Sequence, residues 1–141
     1  MAVTTRIEWI DDVAFRAKTG SGHEIIMDGA PDAGGQNSGA RPMEMVLVGL
    51  AGCTSFDVVA ILKKMRVPFS GVSAELTAER ADTAPKVFTK IHMAFTITGH
   101  GIDRTKAERA VSLSAEKYCS AAQMLNKTAE ITHEIVIMDE D

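Results

Sequence analysis

Two cysteines are too few for a disulfide scaffold and too few for a cysteine-only zinc site. Histidine is nearly as scarce. His23, His92, His100 and His133 form no i, i+4 pair and no His-x-x-x-His spacing, and three of them lie in or beside strand-like runs, so no metal site is expected. Positive charge is in deficit, with fifteen Lys and Arg against nineteen Asp and Glu, a net charge of −4 and a pI near 5.5. Such a chain binds phosphate backbones poorly, and nucleic acid is not expected as a partner. No apolar run approaches the ~20 residues of a membrane span, and Met1-Ala2-Val3-Thr4-Thr5-Arg6 lacks the apolar core of a secretory signal. A soluble cytoplasmic domain, without a membrane partner, is the expectation. Gly20-Ser21-Gly22 and Gly34-Gly35 are turn signals without phosphate-loop spacing, and no cofactor is expected. Ser55 and Ser120 lack a His/Asp partner, which argues against a hydrolase triad.

What is present is ordinary for a folded chain: 141 residues, 45% hydrophobic and 24% charged. There is no internal repeat and no linker, so a single domain over residues 1–141 is expected. Polar and apolar residues alternate over 5–10, 13–18 and 23–28, with Asp11-Asp12 and Gly20-Ser21-Gly22 as turns, the pattern of a three-stranded meander. Residues 29–41 form a Gly/Pro/Asp/Ser loop, long enough to be either mobile or functional.

Pro42 suits the first turn of a helix that runs to about Met65 and ends before Val67-Pro68. This helix is apolar on nearly every side, more than one sheet can cover, and a homodimer is the simplest remedy. Strands follow over 72–80 and 88–98. Thr105-Lys106-Ala107-Glu108 has capping-box spacing and opens a second helix to about Asn126, and residues 130–138 alternate as a last strand. The order βββ-α-ββ-α-β defines an α+β domain, helices packed on antiparallel sheets.

Cys53 and Cys119 are the nucleophiles of note. Cys53 lies mid-helix in Gly49-Leu50-Ala51-Gly52-Cys53-Thr54, where glycines that each cost about 1 kcal/mol need a packing or functional reason. Small residues there let a backbone or substrate approach. Cys119, in Glu116-Lys117-Tyr118-Cys119-Ser120-Ala121-Ala122, also reads as mid-helix, and the two helices could face each other across one core. On pattern alone the bland reading is favoured, because free cysteine usually behaves as a small buried hydrophobe. The eight methionines fit core and dimer packing better than a cofactor box.

The residues nevertheless form a recognisable pattern. Pro42-Met43-Glu44-Met45-Val46-Leu47, then Gly52-Cys53, then Tyr118-Cys119-Ser120 resemble the OsmC/Ohr superfamily. Ser21-Gly22-His23, Met27-Asp28-Gly29, Asp57-Val58-Val59 and Leu113-Ser114-Ala115-Glu116-Lys117 are similar to its YhfA-like branch, and the likeness covers nearly the whole chain. The resemblance implies an intertwined homodimer with long central helices and two sites at the subunit interface. It also implies that Cys53, as a thiolate, attacks the O–O bond of an organic hydroperoxide. Cys119 would then resolve the sulfenic acid to a disulfide, and a dithiol reductant would reopen it.

One departure stands out. In the peroxidase branches a glutamate directly follows the helix-opening proline, ten residues before the cysteine; here Met43 holds that place and Glu44 comes one later. At about 100° per residue, Glu44 faces opposite Cys53 on a regular helix, whereas the family position lies roughly 80° away. An irregular first turn or the partner chain would be needed to bring Glu44 in. The activating arginine falls roughly at Arg16 on the second strand, with Arg41 as the alternative; the bland readings are a solvated strand residue and a loop cation. Asp57 is four residues from Cys53, about 40° round the same helix face, and a carboxylate there raises the cysteine pKa unless it is paired.

The leading reading is therefore a thiol-dependent organic hydroperoxide peroxidase in a peroxide or osmotic stress response. A second keeps the thiol pair but exchanges disulfides with some other small molecule. A third, from a different class, is a dimer without peroxidase activity that holds an apolar ligand at its interface, lined by Met43, Met45, Phe56 and Met65.

Overall fold

Three short alternating strands open the chain in the computed structural model, which describes residues 2–140. They are β1 (Thr5–Asp11), β2 (Ala14–Thr19) and β3 (Glu24–Met27), paired antiparallel in the order β1-β2-β3. The expected meander forms with the expected turns: Asp12 takes φ 43° at the first and Gly22 φ 94° at the second.

The following loop is tied down by one carboxylate. Asp28, buried, accepts hydrogen bonds from the backbone N–H groups of Gly29 (2.7 Å), Gln36 (3.0 Å) and Ser38 (3.1 Å), and from the Ser38 hydroxyl (2.6 Å). These donors hold its carboxyl well below the usual carboxylate range, the Ser38 hydroxyl contributing most. Gly35 and Gly39 lie where a Cβ would collide with the carbonyls of Gly29 and Ile26, so the loop folds back onto its own backbone.

Pro42 then starts α1 (Pro42–Lys64). The fold divides into two compact units, one up to Leu47 and the other from Val48 onward. Within the second unit α1 buries a single stripe of four-residue spacing, Leu50, Thr54, Val58 and Leu62. It closes in a Schellman motif: Val67 N–H reaches the Leu62 carbonyl (3.0 Å), Arg66 N–H reaches that of Lys63 (3.1 Å), and Arg66 takes φ 58°. One expectation is corrected. By length and composition α1 is long and apolar enough to cross a membrane. Its apolar stretch is interrupted only by small residues and a few polar ones.

The second sheet contains β4 (Phe69–Arg80), β5 (Phe88–Gly99) and β6 (Glu130–Asp139), with β5 central. Alternate residues of β5, Ile91, Met93, Phe95 and Ile97, are almost wholly buried and form the core with Leu50, Val58, Leu62 and Val111. The sheet is mixed rather than antiparallel, since β6 lies parallel to β5 with Ile91 opposite Ile131 and Phe95 opposite Ile135. The long connection between them supplies the crossover that parallel pairing requires.

That connection departs from expectation. The single helix expected over residues 105–126 is instead α2 (Arg104–Leu113), a π-helical turn (Ser114–Tyr118) and α3 (Ser120–Leu125). The cap of α2 is Asp103, whose side chain accepts from Lys106 N–H at 3.2 Å, not the Thr105–Glu108 box. Glu108 instead pairs with Arg104 at 2.9 Å. In the π turn, Cys119 N–H bonds the Ser114 carbonyl five residues back at 2.8 Å. Cys119 therefore leaves the helix in an extended conformation (φ −69°, ψ 112°) and becomes the residue before α3.

Candidate active site

The second unit brings the two cysteines together. Cys53, half-buried on α1, and Cys119, fully buried at the helix break, are both free thiols. Their sulfurs and a carboxylate oxygen of Asp57 all lie within 4.8 Å of one another. Asp57 reaches the pair because it sits one helical turn beyond Cys53 on the same face.

Two buried hydroxyls fix this geometry. Ser114 Oγ donates to the Thr54 carbonyl at 2.8 Å, which ties the start of the π turn to α1. The Thr54 hydroxyl lies 2.9 Å from the Leu50 carbonyl and 3.1 Å from Cys119 Sγ. One hydroxyl hydrogen serves one acceptor at a time. With Cys119 protonated, Thr54 donates to Leu50 and can accept from the thiol. With Cys119 ionised, Thr54 can turn and donate to the thiolate. Ala122 N–H also points at the sulfur, at 3.4 Å.

Burial pushes the Cys119 thiol above its ordinary pKa, the Thr54 and Ala122 donors pull the other way, and neighbouring Cys53 pushes it further up. At neutral pH Cys119 is therefore a thiol. Thr54 and Ser114 were not singled out in the sequence. The available signal was a hydroxyl residue interrupting the four-spaced series Leu50, Val58, Leu62.

The other candidates lie in the first unit. Arg16 is exposed on β2. Arg41 spends its guanidinium on Asn37 Oδ1 and the Gly39 carbonyl, holding the loop. Glu44 accepts the Arg41 backbone N–H at 2.9 Å, the reciprocal half of a capping box at the start of α1. The four histidines have local partners: His23 with Ser21, His92 with Thr132 and Glu134, His100 with the Glu140 carbonyl, and His133 with Glu116.

A groove of about 470 Å³ runs along α1, lined by Gly52, Ser55, Phe56, Val59, Ala60 and Lys63. Of the residues expected to line an apolar pocket it takes in Phe56, while Met65 lies outside it and Met43 and Met45 belong to the first unit. A Cβ at Gly49 or Gly52 would meet nothing within 4 Å, so the close approach expected there is not made by this chain's own atoms.

A thiol pair on the first long helix and at the following helix break, in a chain of two three-stranded sheets, defines a protein class, and the OsmC-like protein family model matches residues 35–134. The chain belongs to that family. It is similar to Protein YhfA of Escherichia coli strain K12, 44% identical over 131 residues that cover 91% of this chain and 92% of that one. The crystal structure of a hypothetical protein from Aquifex aeolicus VF5 superposes with a TM-score of 0.88 at 28% identity, covering 100% of this chain and 99% of that one. An organic hydroperoxide resistance protein OsmC from Legionella pneumophila shares the fold, with a TM-score of 0.74 at 14% identity over 96% of each chain.

Proposed function

We propose that this protein reduces organic hydroperoxides with a cysteine pair, Cys53 peroxidatic and Cys119 resolving. It would do so as a single OsmC-like domain, a homodimer in the cytoplasm serving a peroxide or osmotic stress response. The observation that carries this reading is the asymmetry of the two thiols, one half-open and one fully buried and held protonated, with their sulfurs within 4.8 Å. The Cys53 thiolate attacks the distal oxygen of ROOH. An S–O bond forms, the O–O bond breaks, and RO⁻ takes a proton to leave as the alcohol. Cys119 gives up its proton and its sulfur attacks the sulfenic sulfur, so the S–S bond forms as water departs. Thr54 holds the Cys119 sulfur during this step and can donate to it as it ionises. A dithiol reductant then reopens the disulfide.

The homodimer covers the face of α1 on which Phe56 is 76% and Val48 57% exposed. A second reading keeps the dimer and lets the groove at Phe56 hold an apolar ligand without thiol chemistry, which its lining supports.

The test mixes reduced protein with one equivalent of cumene hydroperoxide and follows intact mass. Expected is rapid loss of two hydrogens, with Cys119→Ser trapped at the sulfenic acid and Cys53→Ser inert. Two thiols unchanged after prolonged exposure would overturn the cycle and leave the ligand-binding reading.

A further inference from the structure

We infer that Cys53, Asp57 and Cys119 together form a three-donor site for a thiophilic divalent cation of the zinc class. The sequence discounts zinc because two cysteines cannot supply a cysteine-only set. The fold adds a carboxylate. Asp57, a turn beyond Cys53, places an oxygen within 4.8 Å of both sulfurs. Two sulfurs and one oxygen around one tetrahedral zinc, at about 2.3 Å and 2.0 Å from it, stand about 3.5 to 3.8 Å from one another. The three atoms need to draw together by up to about 1.3 Å, and two of them sit on side chains that are only half-buried.

Charge points the same way. Among the described residues of the second unit no lysine, arginine or histidine forms a salt bridge with Asp57. Once both sulfurs are ligands, two thiolates and a carboxylate carry three negative charges, which a dication largely balances. Two sulfurs of three donors select zinc-class ions over magnesium or calcium. The surroundings also suit a ligand sulfur. Thr54 Oγ1 at 3.1 Å and Ala122 N–H at 3.4 Å both reach Cys119 Sγ, the outer hydrogen bonding that orients and stabilises a metal thiolate. A three-residue set leaves the fourth position open to water or a small ligand. Binding converts two thiols to thiolates and releases two protons as two metal–sulfur bonds form. The bound ion and a Cys53–Cys119 disulfide exclude one another, since both use the same two sulfurs.

The site is tested without peroxide, so its outcome is separate from that of the peroxidase reading. Reduced full-length protein is titrated anaerobically with Co²⁺, following thiolate-to-cobalt charge-transfer absorption, and the band is then challenged with Zn²⁺. Expected is saturation at one equivalent per chain, loss of the band on zinc addition, and about half the band intensity in Cys53→Ser and in Cys119→Ser. Asp57→Asn keeps both sulfurs and should bind roughly ten-fold more weakly or worse, while its circular dichroism stays that of the native chain. No charge-transfer band at stoichiometric cobalt would overturn the site. So would a full-strength band in Cys53→Ser, which probes the half-buried position and does not depend on tolerance at Cys119. An unchanged affinity in Asp57→Asn would remove the carboxylate and with it the three-donor set. A cobalt band with no peroxide oxidation would sink the peroxidase reading alone, and oxidation with no band would sink the metal site alone.

Discussion

Thr54 places one hydroxyl against a buried sulfur. It donates across to Cys119 or back to Leu50. Thr54→Val keeps the shape and removes the hydroxyl. We expect stability to fall by about 1 kcal/mol, the ordinary net worth of a hydrogen bond. We also expect the Cys119 pKa to climb, because its thiolate loses a donor; thiolate absorbance during alkaline titration reads this directly. In the native chain Cys119 already titrates above its unfolded value. Beyond roughly pH 8.5 the unfolded chain ionises this thiol while the folded one does not, so unfolding sheds protons and stability declines as pH rises. Cys119→Ala should flatten that alkaline decline.

Asp28 behaves with the opposite sign. Its folded carboxyl is held far below the ordinary range of about 3.9, so its contribution is complete at neutral pH and drains away as pH falls through and below that value. Asp28→Asn should lower Tm at pH 7 and weaken the acid dependence of Tm, since the four N–H and O–H donors then face a neutral amide. Equal acid sensitivity in wild type and variant would contradict the assignment.

At the scale of elements, the C-terminus of α1 offers a clean substitution. Arg66 occupies the left-handed position of the Schellman motif, which glycine adopts without a Cβ penalty. Arg66→Gly should stabilise the protein by up to about 1 kcal/mol, a gain set partly back by the greater freedom of the unfolded glycine. Denaturant titration measures it, with an unchanged m-value expected.

The end of α1 was legible in Val67-Pro68, and the strands were legible wherever one face is buried, as in Ile91, Met93, Phe95 and Ile97, because burial writes a period of two into the chain. The parallel pairing of β6 was not, since alternation carries no direction and the connection is long enough for either sense. Nor was the break at Cys119. Residues 114–120 contain neither glycine nor proline, and the π turn is set by tertiary bonds, Ser114 to Thr54 and Thr54 to Cys119, that no local propensity encodes. That the two cysteine-bearing helices could face each other was legible, and the family pattern gave the cysteines roles; their proximity comes from the fold.

At the scale of the whole molecule the question is what solvates α1. The helix is apolar enough to cross a membrane, yet carries Cys53, Thr54 and Asp57 at its middle. An ionised aspartate near the centre of a hydrocarbon layer costs several kcal/mol, roughly 2.5 to 3.5 on insertion scales, so lipid is a poor solvent for this helix. A second copy would be a better one, because a protein partner would cover Phe56 and Val48 while leaving the Asp57 side its polar neighbours. Gly49 and Gly52 then acquire a purpose: with nothing beyond the helix's own backbone and their chain neighbours within 4 Å of where a Cβ would stand, they leave room for another backbone to come close. The wild-type protein should stay in solution without detergent and sediment at twice the 15.1 kDa chain mass. Phe56→Glu places a charge on the face to be covered and should shift sedimentation to the single chain at micromolar concentration, whereas Phe56→Leu should not. A wild-type chain that sediments alone at every concentration would leave α1 without its proposed cover, and one that pelleted with membranes would return the choice to lipid.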